Sequence, residues 1–340
     1  MEVQYDRSSR AERHANALLA AIICVFAVMS PSTVARAESG YPLQAITLIV
    51  PFAAGGPTDV VARIVADEMS RTLGQPIIIE NVVGSGGTTA AIRAKRSPPD
   101  GYTIVMGHMG THAAAVALYP NLAYDPVSDF EPIGIVAGMP VMILARKDLA
   151  PKTLDEFVQF LRASGSTLNM AHAGVGSVSF TTCSLFNAIA GARPKMISFQ
   201  GTGPAMNALV AGRADYMCDQ VVNVVPRLAA GSIKAYAVGT TRRNPVLPAI
   251  PTSVEAGAPA FQASAWNALF APKETPQAVI LTLNRALGRA LDDPGVRKQL
   301  LDLGGEIPDL EGRSPQSLTN LVKAEIVKWA SVIKSSDPEH

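Results

Sequence analysis

Hydrophobic positions along this chain switch repeatedly between the period of a strand and the period of a helix. Five apolar or β-branched residues, Ile46-Thr-Leu-Ile-Val50, form a run of buried-strand type. The segment that follows, Val60-Val-Ala-Arg-Ile-Val-Ala-Asp-Glu-Met69, repeats its apolar positions at helical spacing. The same alternation predicts strands at 76–83, 102–106, 130–137, 141–145, 168–172, 196–200, 215–220, 233–239 and 265–271. Helices are predicted at 90–96, 154–163, 179–190, 205–212 and around 226–230, then in a helical tail at 276–291, 296–303 and 316–334. Strand and helix in alternation make an α/β protein with parallel-rich sheets and right-handed crossovers, in which ligands sit beyond the carboxyl ends of the strands.

Four of the predicted strand-to-helix connections share a composition. Pro51-Phe-Ala-Ala-Gly-Gly-Pro-Thr-Asp59, Gly84-Ser-Gly-Gly-Thr-Thr89, Ala173-Gly-Val-Gly-Ser-Val178 and Gly201-Thr-Gly-Pro204 all place small residues at a helix entry. In the first, two glycines permit a tight turn and close approach to a ligand, Pro57 suits the first helical turn, and Thr58 or Asp59 can cap it. Free N–H groups and the partial positive charge of a helix start suit an anionic group. None of the four loops carries Lys or Arg. An anion would therefore be held by amides, hydroxyls and helix dipoles. The Gly-Lys-Ser/Thr of a phosphate-binding loop is missing and the spacing does not fit Gly-x-Gly-x-x-Gly, so no nucleotide cofactor is expected.

Composition narrows the class. The chain has 340 residues, long enough for two domains, and its 29 basic and 28 acidic side chains nearly cancel. Without a basic block or basic–aromatic interleaving, nucleic acid is not an expected partner. At the N-terminus Arg7, Arg10 and Arg13 precede an apolar run over 17–29, and Ala35-Arg36-Ala37 supplies a small-x-small cleavage signal. Residues 1–37 thus read as a secretory signal peptide, cut after Ala37. The apolar run falls short of the roughly 20 residues of a spanning helix.

Two cysteines outlast that cut, Cys183 and Cys218, and the sequence leaves open whether they are bridged or are two buried thiols. His108 and His112 are four apart, but Gly107 and Gly110 suggest a strand-end loop and no nearby Cys, Asp or Glu completes a metal site. The expectation is a cleft wall rather than a metal ligand. A secreted hydrolase would need a nucleophile elbow and a triad; no Gly-x-Ser-x-Gly occurs, and His108, His112, His172 and His340 do not build one.

Taken in order, Ile49-Val-Pro-Phe-Ala-Ala-Gly-Gly-Pro-Thr-Asp-Val-Val-Ala-Arg63, Glu80-Asn-Val-Val-Gly-Ser-Gly-Gly87, Pro99-Asp-Gly-Tyr-Thr103, Phe199-Gln-Gly-Thr-Gly-Pro-Ala205 and Pro251-Thr-Ser-Val-Glu-Ala-Gly257 resemble the Bug proteins, with Trp266 and Ala271-Pro272 in support. These are substrate-binding components of tripartite tricarboxylate transporters. The resemblance implies a periplasmic binding protein of type II-like architecture, with a carboxylated solute in a cleft between two domains. By analogy one domain covers 38–143 and 262–340, the other 144–261. It also implies a monomer that delivers its ligand to membrane transporter subunits or, alternatively, to a signalling partner. Carried onto this chain, the ligand contacts are Phe52, Ala53, Ala54, Gly55, Gly56, Thr58 and Asp59. The parallel loops and strand ends add Ser85, Gly86, His108, Gly174, Gly176, Ser177, Gly201, Thr202 and Asp219. Asp59 is also readable as a structural partner of Arg63 one turn on, and Phe180 as core. Many relatives have a histidine after the third loop's Gly-Ser, where this chain has Ser177-Val-Ser-Phe180.

Overall fold

The computed structural model describes residues 40–336. The proposed signal peptide and its cleavage point lie outside the described residues. Residues 41–336 pack as one unit.

Strand β1 (Ile46–Val50) is almost entirely buried and pairs in parallel with β2 (Ile77–Asn81) and β3 (Thr103–His108). Helix α1 (Pro57–Leu73) joins the first two strands and buries Val61, Val65 and Met69, its i, i+4, i+8 stripe. Gly74 ends it in the left-handed conformation at φ 69°. A short helix α2 (Thr88–Lys95) follows β2.

After β3 the structure departs from the expected loop. Gly110–Ala114 winds as a π-helical turn and runs directly into α3 (Ala115–Leu118), so His112 is helical and wholly buried. Gly107 and Gly110 are glycines for packing rather than for a loop. A Cβ on either would run into a histidine ring, and on Gly110 also into the Gly176 carbonyl.

A second departure concerns the middle of the chain. The two strands predicted at 130–137 and 141–145 are one, β4 (Phe130–Arg146), 17 residues long. Gly138-Met-Pro140 reads as a break by composition. In the fold it stays extended because β9 (Ser264–Pro272) pairs antiparallel along that whole stretch, from Phe130↔Pro272 to Pro140↔Ser264. Beyond Pro140, β4 changes partners. It pairs antiparallel with β7 (Tyr216–Gln220) and with β8 (Ile233–Val238). Strands β5 (Asn169–His172) and β6 (Lys195–Ser198) extend the sheet from β7 in parallel.

The result is one nine-stranded mixed sheet of order β2-β1-β3-β9-β4-β7-β5-β6, with β8 also on β4. It is parallel on its two wings and antiparallel in the middle. Helices α4 (Leu154–Ser164), α5 (Val178–Ala190), α6 (Thr202–Val210) and α7 (Val221–Ala229) belong to the β5–β8 wing. Helix α7 starts directly after β7 instead of near Pro226; burial of Val221, Val222 and Val224 accompanies the earlier start, and Pro226 lies inside the helix. The tail forms α8 (Gln277–Asp292), α9 (Pro294–Asp302) and α10 (Pro315–Ser336). In α10 the fully buried Trp329 donates its indole N–H to Glu325 at 2.9 Å, one turn back. Cys183 on α5 and Cys218 on β7 are joined by a disulfide, with Cα atoms 5.3 Å apart. That decides the pairing the sequence leaves open.

Candidate functional site

The parallel wings determine where the glycine loops meet. Because β1, β2 and β3 run the same way, loop 51–56, loop 82–87 and the end of β3 at His108 lie at one edge of their wing. By the same argument loop 173–177, residues 199–201 and the end of β7 share an edge of the other. The two edges face each other. A Cβ on Gly86 would enter the Val175 carbonyl, and one on Gly201 would lie 3.1 Å from the Ala53 side chain. The side chain of Thr202 would be 3.6 Å from a Cβ on Gly56. At Gly86 (φ 63°) and Gly174 (φ 98°) the backbone itself requires glycine. Tyr119, just past α3, brings the two edges together. Its hydroxyl meets the Ser85 carbonyl at 2.9 Å and the Val175 carbonyl opposite.

Between these loops lies a cavity of about 280 Å³, walled by Phe52, residues 84–87, Tyr119, residues 173–175 and residues 198–200. No acidic or basic side chain is among its lining residues. The lining does hold donors that the fold leaves free. Backbone N–H groups of Phe52, Val175 and Gln200 have no partner among the described residues, whereas those of Gly55, Gly56, Gly87, Gly174 and Ser177 are taken up. Unpaired main-chain donors are the kind of group that can receive an anion.

The sequence-derived residues fall into distinct places. Phe52, Ser85, Gly86 and Gly174 line the cavity. Ala53, Gly56, Gly201 and Thr202 form the contact between facing loops beside it, while Ala54 and Gly55 stand exposed. Gly176 packs on Tyr119 and Gly110. Thr58 is buried in the first turn of α1.

Asp59 is a scaffold. The N-cap of α1 is Gly56, which has no side-chain cap, and Asp59 instead reaches back to the Gly55 N–H at 2.9 Å. Arg63 grips both of its oxygens at 2.9 Å, and Asn81 adds a fourth bond at 2.9 Å. Burial works against its charge, but these bonds outweigh burial and hold the carboxyl below the usual carboxylate range. Asn81 also donates to the Phe52 carbonyl at 2.9 Å, so it positions the cavity wall from the end of β2.

Ser177 is the N-cap of α5, accepting from the Phe180 N–H at 3.2 Å. Phe180 is only partly buried and sits edge-on to His172, ring centroids 5.1 Å apart, so it is not a full core residue. His108 is fully buried behind the cavity wall, stacked on Phe52 at 5.0 Å. Its Nδ1 accepts from the Gly110 N–H at 2.8 Å, which puts the ring proton on an Nε2 without a partner among the described residues. Burial pushes the pKa of His108 down to about 3, and that of His112 likewise, with repulsion from His108 added. At the end of β7, Asp219 accepts from the Gln220 N–H and from Asn223 at the start of α7. Burial pushes its pKa up to about 7 against those two bonds.

Reading from sequence missed Tyr119, Val175, Ser198 and Gln200. The Phe199-Gln-Gly motif is a local signal for the last of these, since it precedes the fourth loop; Tyr119 has none. The described histidines bond to main-chain amides and to Thr111, with no serine or carboxylate partner. Among the described residues no group of three or more His, Cys, Asp or Glu is placed to hold a metal. No described helix is long and apolar enough to cross a membrane.

Known proteins resemble the chain in sequence and in fold. The UPF0065 protein in the TAR-I ttuE-ttuC' intergenic region of Agrobacterium vitis is 41% identical over 303 residues, covering 89% of this chain and 87% of that protein. MatC (Rpa3494) from Rhodopseudomonas palustris with bound malate is 51% identical, with a TM-score of 0.85 over 86% of this chain and 100% of that one. R. palustris Rpa4515 with adipate is 32% identical, with a TM-score of 0.83 over 87% and 98%. These likenesses give the chain a mixed α/β fold of the periplasmic-binding-protein kind. A family model, the tripartite tricarboxylate transporter family receptor (TctC), matches residues 61–337, and the chain belongs to that family.

Proposed function

We propose that this protein is an extracytoplasmic receptor that captures a small carboxylate in the cavity between its facing glycine loops. It then hands the solute to the membrane subunits of a tripartite tricarboxylate-type transporter. The observation that carries this reading is the set of unpartnered amides of Phe52, Val175 and Gln200 around a space with no charged side chain. Such donors favour an anion, and each aligned helix start adds roughly 0.3–1 kcal/mol toward a nearby charge. Malate in MatC and adipate in Rpa4515 suggest a dicarboxylate of four to six carbons. The phenyl rings of Phe52 and Phe199 suit its methylene chain.

In this reading the leader directs the chain to the periplasm and is cut after Ala37. Residues 38–143 with 262–340 and residues 144–261 act as two lobes, with β4 and β9 running between them, and the receptor works as a monomer. Closure of the loops on the solute excludes water, and release follows reopening.

A thermal-shift screen of the purified protein against mono-, di- and tricarboxylates, aromatic acids and sugars tests it. A ligand present at about 100 times its Kd adds roughly 2.7 kcal/mol to the folded state, and a dicarboxylate should give that upward shift without being consumed. Stabilisation by neutral sugars alone, or turnover of the stabilising compound, overturns the reading.

A further inference from the structure

We infer that the cavity selects against solutes that carry an ammonium group, so that its ligands are hydroxylated or unsubstituted dicarboxylates rather than amino dicarboxylates. This rests on the carboxylate reading above and sharpens it. An anion is served by main-chain donors, but an ammonium needs acceptors, preferably a carboxylate. The wall residues, from Phe52 through 84–87, Tyr119 and 173–175 to 198–200, hold no Asp or Glu.

The two acidic side chains of the first loop and of the end of β7, Asp59 and Asp219, are committed elsewhere. Both oxygens of Asp59 already accept two hydrogen bonds each, from Gly55 and Arg63 on one side and from Arg63 and Asn81 on the other. Asp219 is buried and spends its oxygens on Gln220 and Asn223. The carbonyls of Ser85 and Val175, which border the cavity from opposite sides, share the single proton of the Tyr119 hydroxyl. An ammonium enclosed here would find uncharged acceptors alone, main-chain carbonyls with the Ser198 hydroxyl and the Gln200 amide, and these do not replace the carboxylate that a desolvated cation needs. A hydroxyl at the same carbon would be satisfied by either.

Matched pairs isolate that one group. Isothermal titration of the purified, dialysed protein at pH 7.4 compares malate with aspartate, 2-hydroxyglutarate with glutamate, and adipate with 2-aminoadipate. The tighter-binding pair should favour the compound without nitrogen by at least about 100-fold. Gln200→Glu places a carboxylate on the wall, and its ratio for the same pair should fall by at least about tenfold, through weaker binding of the diacid and stronger binding of the amino acid. An amino dicarboxylate that binds the native protein within tenfold of its partner overturns the inference and leaves the carboxylate reading standing. A ratio unchanged by Gln200→Glu overturns the assignment of the selectivity to this wall. If no member of any pair binds, while another class of solute does, both readings fall together.

Discussion

Gly86 shows how much of the site rests on the absence of a side chain. Its φ of 63° is one that an L residue adopts only at a cost of about 1–2 kcal/mol. A Cβ there would also strike the Val175 carbonyl of the facing loop. Strain of the first kind lowers stability modestly; the collision is relieved only by parting the loops. Gly86→Ala should therefore lower the midpoint of thermal unfolding of the empty protein by only a few degrees. Its ligand-induced shift, read in the same scan, should disappear. A retained shift would mean that closure of these loops is not needed for binding. Gly56 makes the contrast. With φ −80° and its nearest neighbour 3.4 Å from a Cβ, it accommodates a side chain where Gly86 cannot. The sequence writes both as the same letter in the same kind of loop, and only the facing loop distinguishes them.

At the scale of elements, periodicity was a good guide to what each segment is and a poor guide to how far it runs. Strand β4 needed the pairing of β9 to carry it through Gly138-Met-Pro140, and the helix around His112 needed the packing of its ring on Phe270, centroids 4.0 Å apart, to override two glycines. Both are cases of tertiary contacts outweighing local preference. The disulfide is a further inter-element decision. It ties α5 to β7 across 35 residues of chain, a loop for which restriction of the unfolded state is worth about 4 kcal/mol. The double variant Cys183→Ala/Cys218→Ala should unfold in urea with a stability lower by about 2–4 kcal/mol. Because neither cysteine lines the cavity, its ligand affinity should stay within about threefold of the native value. A larger loss of affinity would show that the tie sets the loop geometry as well as the stability.

Across the whole molecule, the buried ionisable groups set a pH dependence whose parts have opposite signs. His108 and His112, pushed down to about 3, are neutral in the folded state and charge readily in the unfolded one. Their contribution is complete above about pH 6.5 and is lost as the pH falls, by roughly 1.4 kcal/mol per unit for each. Asp219, pushed up to about 7, works the other way. It holds its proton more tightly when folded, so its penalty is full above about pH 7 and fades as the pH falls toward 4. Between pH 6 and 4 these three groups by themselves balance to about one proton, roughly 1.4 kcal/mol lost per unit, and the lowered His172 and Asp59 add to the loss in the same direction. In Asp219→Asn the compensation is gone and the slope should steepen by about one proton. Denaturant unfolding at pH 6, 5 and 4 measures both slopes, and equal slopes would remove Asp219 from the balance.

What the amino-acid order determined by itself is local. Apolar spacing marked the strands and most helices, glycine and proline marked the four loops at strand ends, and the ordered set of motifs marked the family. These follow because periodicity records which face of a segment is buried, and turn residues record which backbone angles it needs. What only the tertiary structure decided is which groups meet. Asp59 became a brace for its own loop, Asn81 the support for Phe52, and Tyr119 the meeting point of two facing carbonyls. Val175 and Gln200 became donors with no partner among the described residues. The physical reason is that a free amide, or a carboxylate with every lone pair in use, is defined by neighbours distant in sequence. No spacing along the chain encodes them until the two wings of the sheet bring their strand ends together.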